Sequence, residues 1–148
     1  MVKEFKDKNE WALILGGSSG LGLATAKKLA RHGMNICIVH RNSRSQQAEI
    51  EKEFKKITEE GVGFISYNTD AFHSEKRAAL IEDLEKELND GAIKTLVHSV
   101  AKGNLKPMIS TTTPTLQTDD FQLTIQAMGV SLYDWTKAVF EAKLFSDD

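Results

Sequence analysis

A glycine-rich turn at residues 16–22, with the sequence GGSSGLG, is the part of this chain whose residue types point most clearly to chemistry. It follows the apolar run 11–15 and precedes a helical pattern from Leu23 to His32. Glycines here let the chain turn sharply and approach a diphosphate, while the start of the helix presents free N–H groups to the anion. We therefore predict a nucleotide site, with a purely structural glycine turn as the alternative. The predicted contacts are Gly16, Ser18, Ser19, Gly20, Leu21 and Gly22.

A basic segment follows the second apolar run, where a bound dinucleotide would place its adenosine ribose. An acidic residue there would bind the ribose hydroxyls and disfavour a 2′-phosphate. This chain instead has two arginines and a hydroxyl, which can hold a phosphate. We therefore predict NADP(H) in preference to NAD(H), with a solvated basic loop as the alternative. The predicted contacts are Arg41, Asn42, Ser43 and Arg44.

Two further strand ends supply candidate coenzyme contacts. Asp70 and Ala71 end the third predicted strand, where the carboxylate could accept a hydrogen bond from the adenine amino group. Capping of a turn by Asp70 is an equally good interpretation from residue type alone. The small residues Ser99, Val100 and Ala101 end the fourth predicted strand and would let the nicotinamide ribose lie against the backbone.

These residues must be positioned by an alternation of strands and helices. The apolar patterns predict strands at 12–15, 35–40, 63–70 and 95–99, and helices at 20–32, 45–60, 74–89 and 118–144. This alternation predicts an α/β fold, an open parallel sheet with helices on both faces. Right-handed crossovers favour the strand order 3-2-1-4, the first half of a doubly wound arrangement. The ligand crevice should then lie at the carboxyl ends of the first and fourth strands.

The last predicted helix is apolar nearly all round, which favours burial on more than one side. One predicted stripe consists of Ile125, Met128, Leu132, Trp135 and Val139, and outside it lie Phe121, Val130, Tyr133, Phe140 and Leu144. We therefore predict a homo-oligomer formed through the helix 119–144, further chain covering it, or both. A helix that is merely more apolar than average is the alternative.

The bulk properties limit the remaining classes of function. The 148 residues suffice for one domain, and 19 basic residues against 21 acidic ones argue against nucleic acid or an anionic membrane as a partner. The four histidines lie on different predicted elements without ligand spacing, so we predict no metal site. His98 is more simply a hydrogen-bonded core residue than a base. The single cysteine, Cys37, the charged N-terminus and the absence of a long apolar run favour a cytoplasmic protein.

Together these residues resemble the short-chain dehydrogenase/reductase family. The family fingerprint T-G-x-x-x-G-x-G corresponds to residues 15–22, with Leu15 in place of threonine, and the family's adenine-binding aspartate matches Asp70. The fourth-strand motif N-N-A-G is replaced by the sequence HSVA at 98–101. The stretches 96–101 and 120–138 are similar to the enoyl-acyl-carrier-protein reductase branch, although the glycine turn follows the general family pattern. The resemblance implies a Rossmann-type NAD(P)-binding domain.

The same resemblance indicates where catalytic groups are expected. The family's catalytic asparagine aligns near Met128, and its Tyr-x-x-x-Lys pair lies beyond a fifth strand. Tyr133 and Lys137 imitate that spacing but fall within the last helix, too early in the fold. We therefore assign no catalytic residue and expect residues 1–148 to be the N-terminal portion of a longer reductase. A naturally short protein is the alternative.

The function implied by the resemblance is an NADPH-dependent reductase whose substrate is a small molecule or an acyl thioester, free or on acyl carrier protein. The enoyl-acyl-carrier-protein reductase of fatty acid synthesis is the favoured interpretation, and a carbonyl or 3-oxoacyl reductase of the same family is the first alternative. A non-catalytic dinucleotide-binding module is the alternative from another class.

Overall fold

A computed structural model describes residues 3–147 and contains a four-stranded parallel sheet. The strands are β1 (Glu10–Leu15), β2 (Asn35–His40), β3 (Phe64–Asn68) and β4 (Ala92–His98), in the order β3-β2-β1-β4. The predicted Rossmann-type sheet and its strand order are confirmed. The fourth strand begins earlier than predicted, at Ala92. The polar side chain of Lys94 interrupts the apolar pattern of this strand, and its pairing with β1 skips Lys94 through a shift in register.

Three helices connect these strands and cover both faces of the sheet. They are α1 (Gly20–Arg31), α2 (Gln47–Thr58, preceded by a 3-10 turn at Arg44–Gln46) and α3 (Ser74–Leu88). Alternate residues of β1 and β2 point to opposite faces, so each strand contributes to two cores. One core contains Ala26, Ala30, Ile50, Phe54 and Ile57 packed on Ile14, Ile36 and Ile38. The other contains Leu80, Ile81, Leu84 and Leu88 packed on Leu13, Leu15 and Val39.

The last helix differs from its prediction in regularity, length and buried face. It consists of α4 (Thr118–Ile125), a π segment (Gln126–Val130) and α5 (Ser131–Glu141). Lys143, at a φ of 55°, ends it, and the N–H of Leu144 donates to the Val139 carbonyl at 3.1 Å. This reversal returns Leu144 to the core and places Phe145 beside Ile93 of β4.

The predicted apolar stripe of this helix is correct at Trp135 and Val139 and wrong at its three earlier positions. Trp135 and Val139 are buried, but Met128 is 49 % exposed, and Ile125 and Leu132 are also exposed. The π segment adds a residue to one turn of the helix, so the residues N-terminal to it face a different direction than they would on a regular α-helix. The buried positions of the helix are Asp120, Ala127, Ser131, Trp135 and Val139. Large apolar side chains remain exposed, namely Phe121, Ile125, Met128, Val130, Leu132, Tyr133 and Phe140.

Burial also decides the chemistry of Cys37 in β2. The side chain is 1 % exposed, and the loss of solvation raises the pKa of its thiol to about 12. The thiolate, which is the reactive form, is therefore scarce near neutral pH. Cys37 is a packing residue of the core.

Two glycines of the β1–α1 turn are required by close backbone contacts. Gly16 has a φ of +81°, and a Cβ there would lie 2.1 Å from the carbonyl oxygen of Ser99 at the end of β4. A Cβ on Gly22 would lie 2.3 Å from the carbonyl oxygen of Gly16, because the start of α1 packs directly on the turn. The turn can therefore approach both β4 and α1 only without side chains at these positions.

Replacement of Gly16 by alanine should destabilise the protein much more than the same change at Gly61. Both glycines have positive φ, +81° and +77°, but a Cβ on Gly61 would meet open space. The backbone conformation alone costs about 1–2 kcal/mol, which we expect for Gly61→Ala. Gly16→Ala adds the clash with Ser99, so we expect a loss of at least about 3 kcal/mol. Urea unfolding measures both; equal losses would contradict the close contact between the turn and β4.

Candidate functional site

A cleft at the carboxyl ends of β1 and β4 collects residues from four separate loops. It has a volume of about 280 Å³ and lies at the predicted crevice. The predicted site residues that line it are Gly16, Ser18, Ser19, Arg41, Asn42, Asp70, Ala71, Ser99, Val100 and Ala101. Segments up to 85 residues apart in sequence are therefore brought to one place by the parallel sheet.

A larger depression of about 490 Å³ lies at the opposite edge of the sheet, beside Lys3, Phe5, Gly33 and Glu60. Size alone does not identify a ligand site, and the two edges differ in their exposed backbone groups. At the cleft edge, α1 begins at Gly20, its N-cap residue Ser19 makes no side-chain capping hydrogen bond, and its first turn has no acidic residue. Its N–H groups and positive dipole end are thus available to an anion, which favours the smaller cleft as the site.

Five predicted contacts lie outside the lining of this cleft. Gly20 lines a neighbouring depression together with Ser18 and Ser19. Leu21 is exposed and Gly22 is buried against the turn. Arg44 begins the exposed 3-10 turn and Ser43 caps it, with the N–H of Ser43 donating to Gln46 Oε1 at 3.1 Å. The two predicted arginines are therefore separated: Arg41 lines the cleft and Arg44 does not.

Arg41 and Asp70, predicted to contact different parts of a coenzyme, bind each other. The Arg41 guanidinium donates to Asp70 Oδ2 at 3.1 Å, and the N–H of Phe72 donates to Asp70 Oδ1 at 3.0 Å. Asp70 therefore caps the turn after β3, which is the second of the two interpretations given for it above. The Arg41 side chain is 71 % exposed, and an exposed ion pair contributes at most about 1 kcal/mol. A phosphate could therefore compete with Asp70 for Arg41.

Asn42 joins the glycine turn to the ends of two strands. Its Oδ1 accepts hydrogen bonds from Ser18 Oγ and His40 Nδ1, both at 2.8 Å. Its backbone N–H donates to Asn68 Oδ1 at 3.0 Å, and Asn68 Nδ2 donates back to the Asn42 carbonyl at 3.1 Å. Asn42 was predicted as a coenzyme contact, but its side-chain oxygen is already used to hold Ser18 in place. His40 and Asn68 are positioning residues that sequence reasoning missed; a polar residue ending an apolar strand was the available signal.

His98 and Ser131 join the end of β4 to the last helix. Ser131 Oγ donates its only proton to the Ala127 carbonyl at 2.7 Å, so the 2.6 Å contact with His98 must be donated by His98 Nε2. Burial lowers the pKa of His98, which favours the neutral ring. The geometry contains the hydrogen bond that was predicted for this histidine. Beside it, the N–H of Ser99 donates to the Leu15 carbonyl at 2.8 Å and holds the strand end against the turn.

A buried carboxylate anchors the long loop between β4 and α4. Asp120 is 5 % exposed and accepts hydrogen bonds from Lys106 Nζ at 2.8 Å, from the N–H of Gln117 at 2.8 Å and from Asn104 Nδ2 at 2.5 Å. These donors, the Lys106 ammonium foremost, lower the pKa of Asp120 to about 2. Sequence reasoning missed this cluster, because its members are up to 16 residues apart on an irregular loop.

The remaining candidates for chemistry lie away from the cleft. Tyr133 is exposed, and Lys137 pairs with Glu141 at 3.5 Å on the same helix. Met128 lies in the π segment and does not line the cleft. Among residues 3–147 no group of three or more His, Cys, Asp or Glu side chains is arranged to bind a metal ion. Over the same residues, each helix is too short or too polar to cross a lipid bilayer.

Sequence comparison identifies relatives over most of the chain. The family model described as short chain dehydrogenase matches residues 10–146. The very-long-chain 3-oxoacyl-CoA reductase of Emericella nidulans is 30 % identical over 132 residues, covering 86 % of this chain and 36 % of the relative. The protein of the same name from Meyerozyma guilliermondii is 29 % identical, covering 78 % and 31 %. The chain therefore spans about a third of the length of these curated relatives.

Comparison of structures gives the same fold. A short-chain type dehydrogenase/reductase from Mycobacterium marinum superimposes with a TM-score of 0.75 at 17 % identity, covering 95 % of this chain and 52 % of that one. A 3-oxoacyl-[acyl-carrier protein] reductase from Brucella melitensis gives 0.74 at 22 % identity, with 94 % and 52 % covered. At these identities the similarity establishes the arrangement of strands and helices.

The anchor of the β4–α4 loop should make stability depend on pH in acid. Because folding lowers the pKa of Asp120 from 3.8 to about 2, the ionised carboxylate stabilises the protein above pH 4, and the contribution disappears as the pH falls towards 2. Asp120→Asn removes the charge. We expect the difference in unfolding free energy between wild type and Asp120→Asn to be constant above pH 5 and to shrink between pH 4 and pH 2.

Asp119→Asn is the matched control, because Asp119 is exposed in the same first turn of α4. Urea unfolding at several pH values measures all three proteins. A difference for Asp120→Asn that persists unchanged down to pH 2 would show that the ionised carboxylate does not anchor the loop.

Proposed function

The chain belongs to the short-chain dehydrogenase family, and we propose that its cleft binds NADPH as the coenzyme-binding part of a longer reductase. Membership makes the protein an oxidoreductase of this family, whose coenzyme is a nicotinamide dinucleotide. Because the chain spans about a third of its curated relatives, the activity of the whole protein, its substrate and its preference for NADPH are parts of this proposal.

The single observation that carries the proposal is the uncapped N-terminus of α1 at a cleft lined by the glycine turn. Free N–H groups and a helix dipole attract a diphosphate. In the proposed complex, the glycine turn and the first residues of α1 hold the diphosphate. Asp70 and Ala71 contact the adenine, and Ser99, Val100 and Ala101 lie along the inner ribose. Arg41 provides the charge for a 2′-phosphate, with Arg44 on the adjoining turn.

A 3-oxoacyl thioester is the substrate class with the better support. The family relatives from Emericella nidulans and Meyerozyma guilliermondii are named very-long-chain 3-oxoacyl-CoA reductases. This favours the first alternative derived from the sequence over an enoyl reductase. In such a reduction NADPH supplies a hydride to the C3 carbonyl carbon, and a proton joins the oxygen to give a 3-hydroxyacyl thioester.

The residues of the chain provide binding and orientation for this reaction. The sequence has two tyrosines; Tyr67 donates its hydroxyl proton to Asp83 at 2.8 Å, and Tyr133 is exposed on α5. Neither lines the cleft. We therefore assign no proton donor to residues 3–147, and the neutral His98, which donates to Ser131, is a positioning residue.

An enoyl thioester is the second candidate substrate. It is favoured by the sequence HSVA at 98–101 in place of N-N-A-G, and by Met128 where the family's catalytic asparagine aligns. A dinucleotide-binding module without catalysis is the third candidate. It would bind NADPH and reduce neither thioester, so binding and turnover together separate the three.

The same proposal includes a homo-oligomer formed through the last helix. Its support is the set of large apolar side chains that this helix exposes, among them Phe121, Ile125 and Phe140. An exposed apolar surface of this kind is typical of an interface. A second copy of the chain is the proposed partner.

Turnover by the full-length protein tests the substrate class. With NADPH, we expect acetoacetyl thioesters to be reduced at least tenfold faster than crotonyl thioesters, measured by the loss of absorbance at 340 nm. The reverse ranking would favour the enoyl candidate. Coenzyme binding without reduction of either thioester would favour the non-catalytic module.

Arg41→Met should weaken NADPH binding and leave NADH binding nearly unchanged. A charge-assisted hydrogen bond to the 2′-phosphate contributes about 1.5–3 kcal/mol, which corresponds to a change in Kd of about 10-fold to 150-fold. Titration calorimetry with both coenzymes measures this. Arg31→Met is the control, because Arg31 ends α1 at the opposite edge of the sheet, near Glu60. Equal weakening of both coenzymes would contradict a 2′-phosphate contact.

A further inference from the structure

Lys102 is a cation of the cleft that the assignments above leave unused. It follows Ala101 directly and lines the cleft together with Arg41 and Asp70. The segment around it is exposed, so its ammonium group can reach a ligand without unfolding any element of the fold.

An aromatic ring holds the Lys102 ammonium group at the cleft. The Nζ atom lies 5.4 Å from the centroid of the Phe72 ring, which joins the loop after β4 to the loop after β3. That second loop is itself fixed, because the N–H of Phe72 donates to Asp70 and the indole N–H of Trp135 donates to the Ala71 carbonyl at 2.9 Å. The backbone that carries the ring is therefore fixed, and the contact with the ring restricts where the ammonium group lies.

Lys102 differs from Arg41 in the kind of partner that it has. Arg41 is paired with the carboxylate of Asp70, so part of its charge is offset within the protein. Within the part of the chain that the structure describes, Lys102 forms no ion pair with a carboxylate. An aromatic face attracts a cation but carries no net charge. The positive charge of Lys102 therefore remains available to an anion.

We propose that Lys102 binds a phosphate group of the dinucleotide coenzyme, with Phe72 holding the ammonium group in place. This inference rests on the proposed function, since it concerns the same cleft and the same coenzyme. A dinucleotide offers phosphate in two places, the diphosphate bridge and the 2′-phosphate of NADP(H). Both are dianionic or nearly so, and an ammonium group binds either as a point charge.

Coenzyme titration of Lys102→Met in the full-length protein tests the proposal. We expect at least a fivefold increase in the Kd for NADPH, with a weaker dependence of that Kd on salt. If the diphosphate is the partner, NADH binding weakens by the same factor. If the 2′-phosphate is the partner, NADH binding is unchanged. Lys86→Met, in the last turn of α3 at the other edge of the sheet, is the control with the same loss of charge.

Two further results decide whether charge is the cause. Lys102→Arg keeps the positive charge and should bind NADPH within about twofold of wild type; binding as weak as that of Lys102→Met would overturn the proposal. Unchanged affinity of Lys102→Met for both coenzymes, with wild type binding normally, would also overturn it and leave the proposed function intact. Failure of wild type to bind either coenzyme would refute the proposed function itself.

Discussion

The missing side chain of Gly16 lets β1 and β4 meet at their carboxyl ends. The pairing of the two strands runs to Leu15 and His98, and the Ser99 carbonyl then lies where a Cβ of Gly16 would be. Gly22 also must lack a side chain, because α1 packs on the Gly16 carbonyl, which lies where a Cβ of Gly22 would be. Turn, strand end and helix start are therefore fixed relative to one another by backbone contacts. The cleft exists because these three parts come this close.

Polar side chains of the cleft are organised by hydrogen bonds to one another. Asn42 holds Ser18 and His40 through one oxygen, and Asp70 holds Arg41 and the backbone of Phe72. Such preorganisation reduces the ordering that a ligand must impose. It also means that a phosphate must compete for Arg41, whereas Lys102 rests only on a ring. Binding of a phosphate to Arg41 therefore requires the loss of an ion pair, and binding to Lys102 does not.

The last helix illustrates how one extra residue in a turn changes a surface. Ala127 and Ser131 face inward around the π segment, and Ser131 hydrogen-bonds both the Ala127 carbonyl and His98 of β4. At its start the same helix buries Asp120, whose carboxylate anchors Lys106 and the loop that leaves the cleft. Apolar residues that would otherwise face the sheet, such as Ile125 and Met128, lie on the outside. The inner face of this helix before α5 is therefore polar or small, and the outer face is apolar.

The sequence by itself determined the order of elements, the sheet topology and the buried faces of α1, α2 and α3. These follow from short-range periodicity, as with Ile50, Phe54 and Ile57, and from the handedness of strand–helix–strand crossovers. It also located the glycine turn at the cleft, because that motif acts through its local backbone. Only the tertiary structure decided which polar groups pair, as with Arg41 and Asp70, 29 residues apart. The phase of the last helix and the Asp120 anchor were decided in the same way, because packing and hydrogen bonding between distant segments leave no periodic signal in the chain.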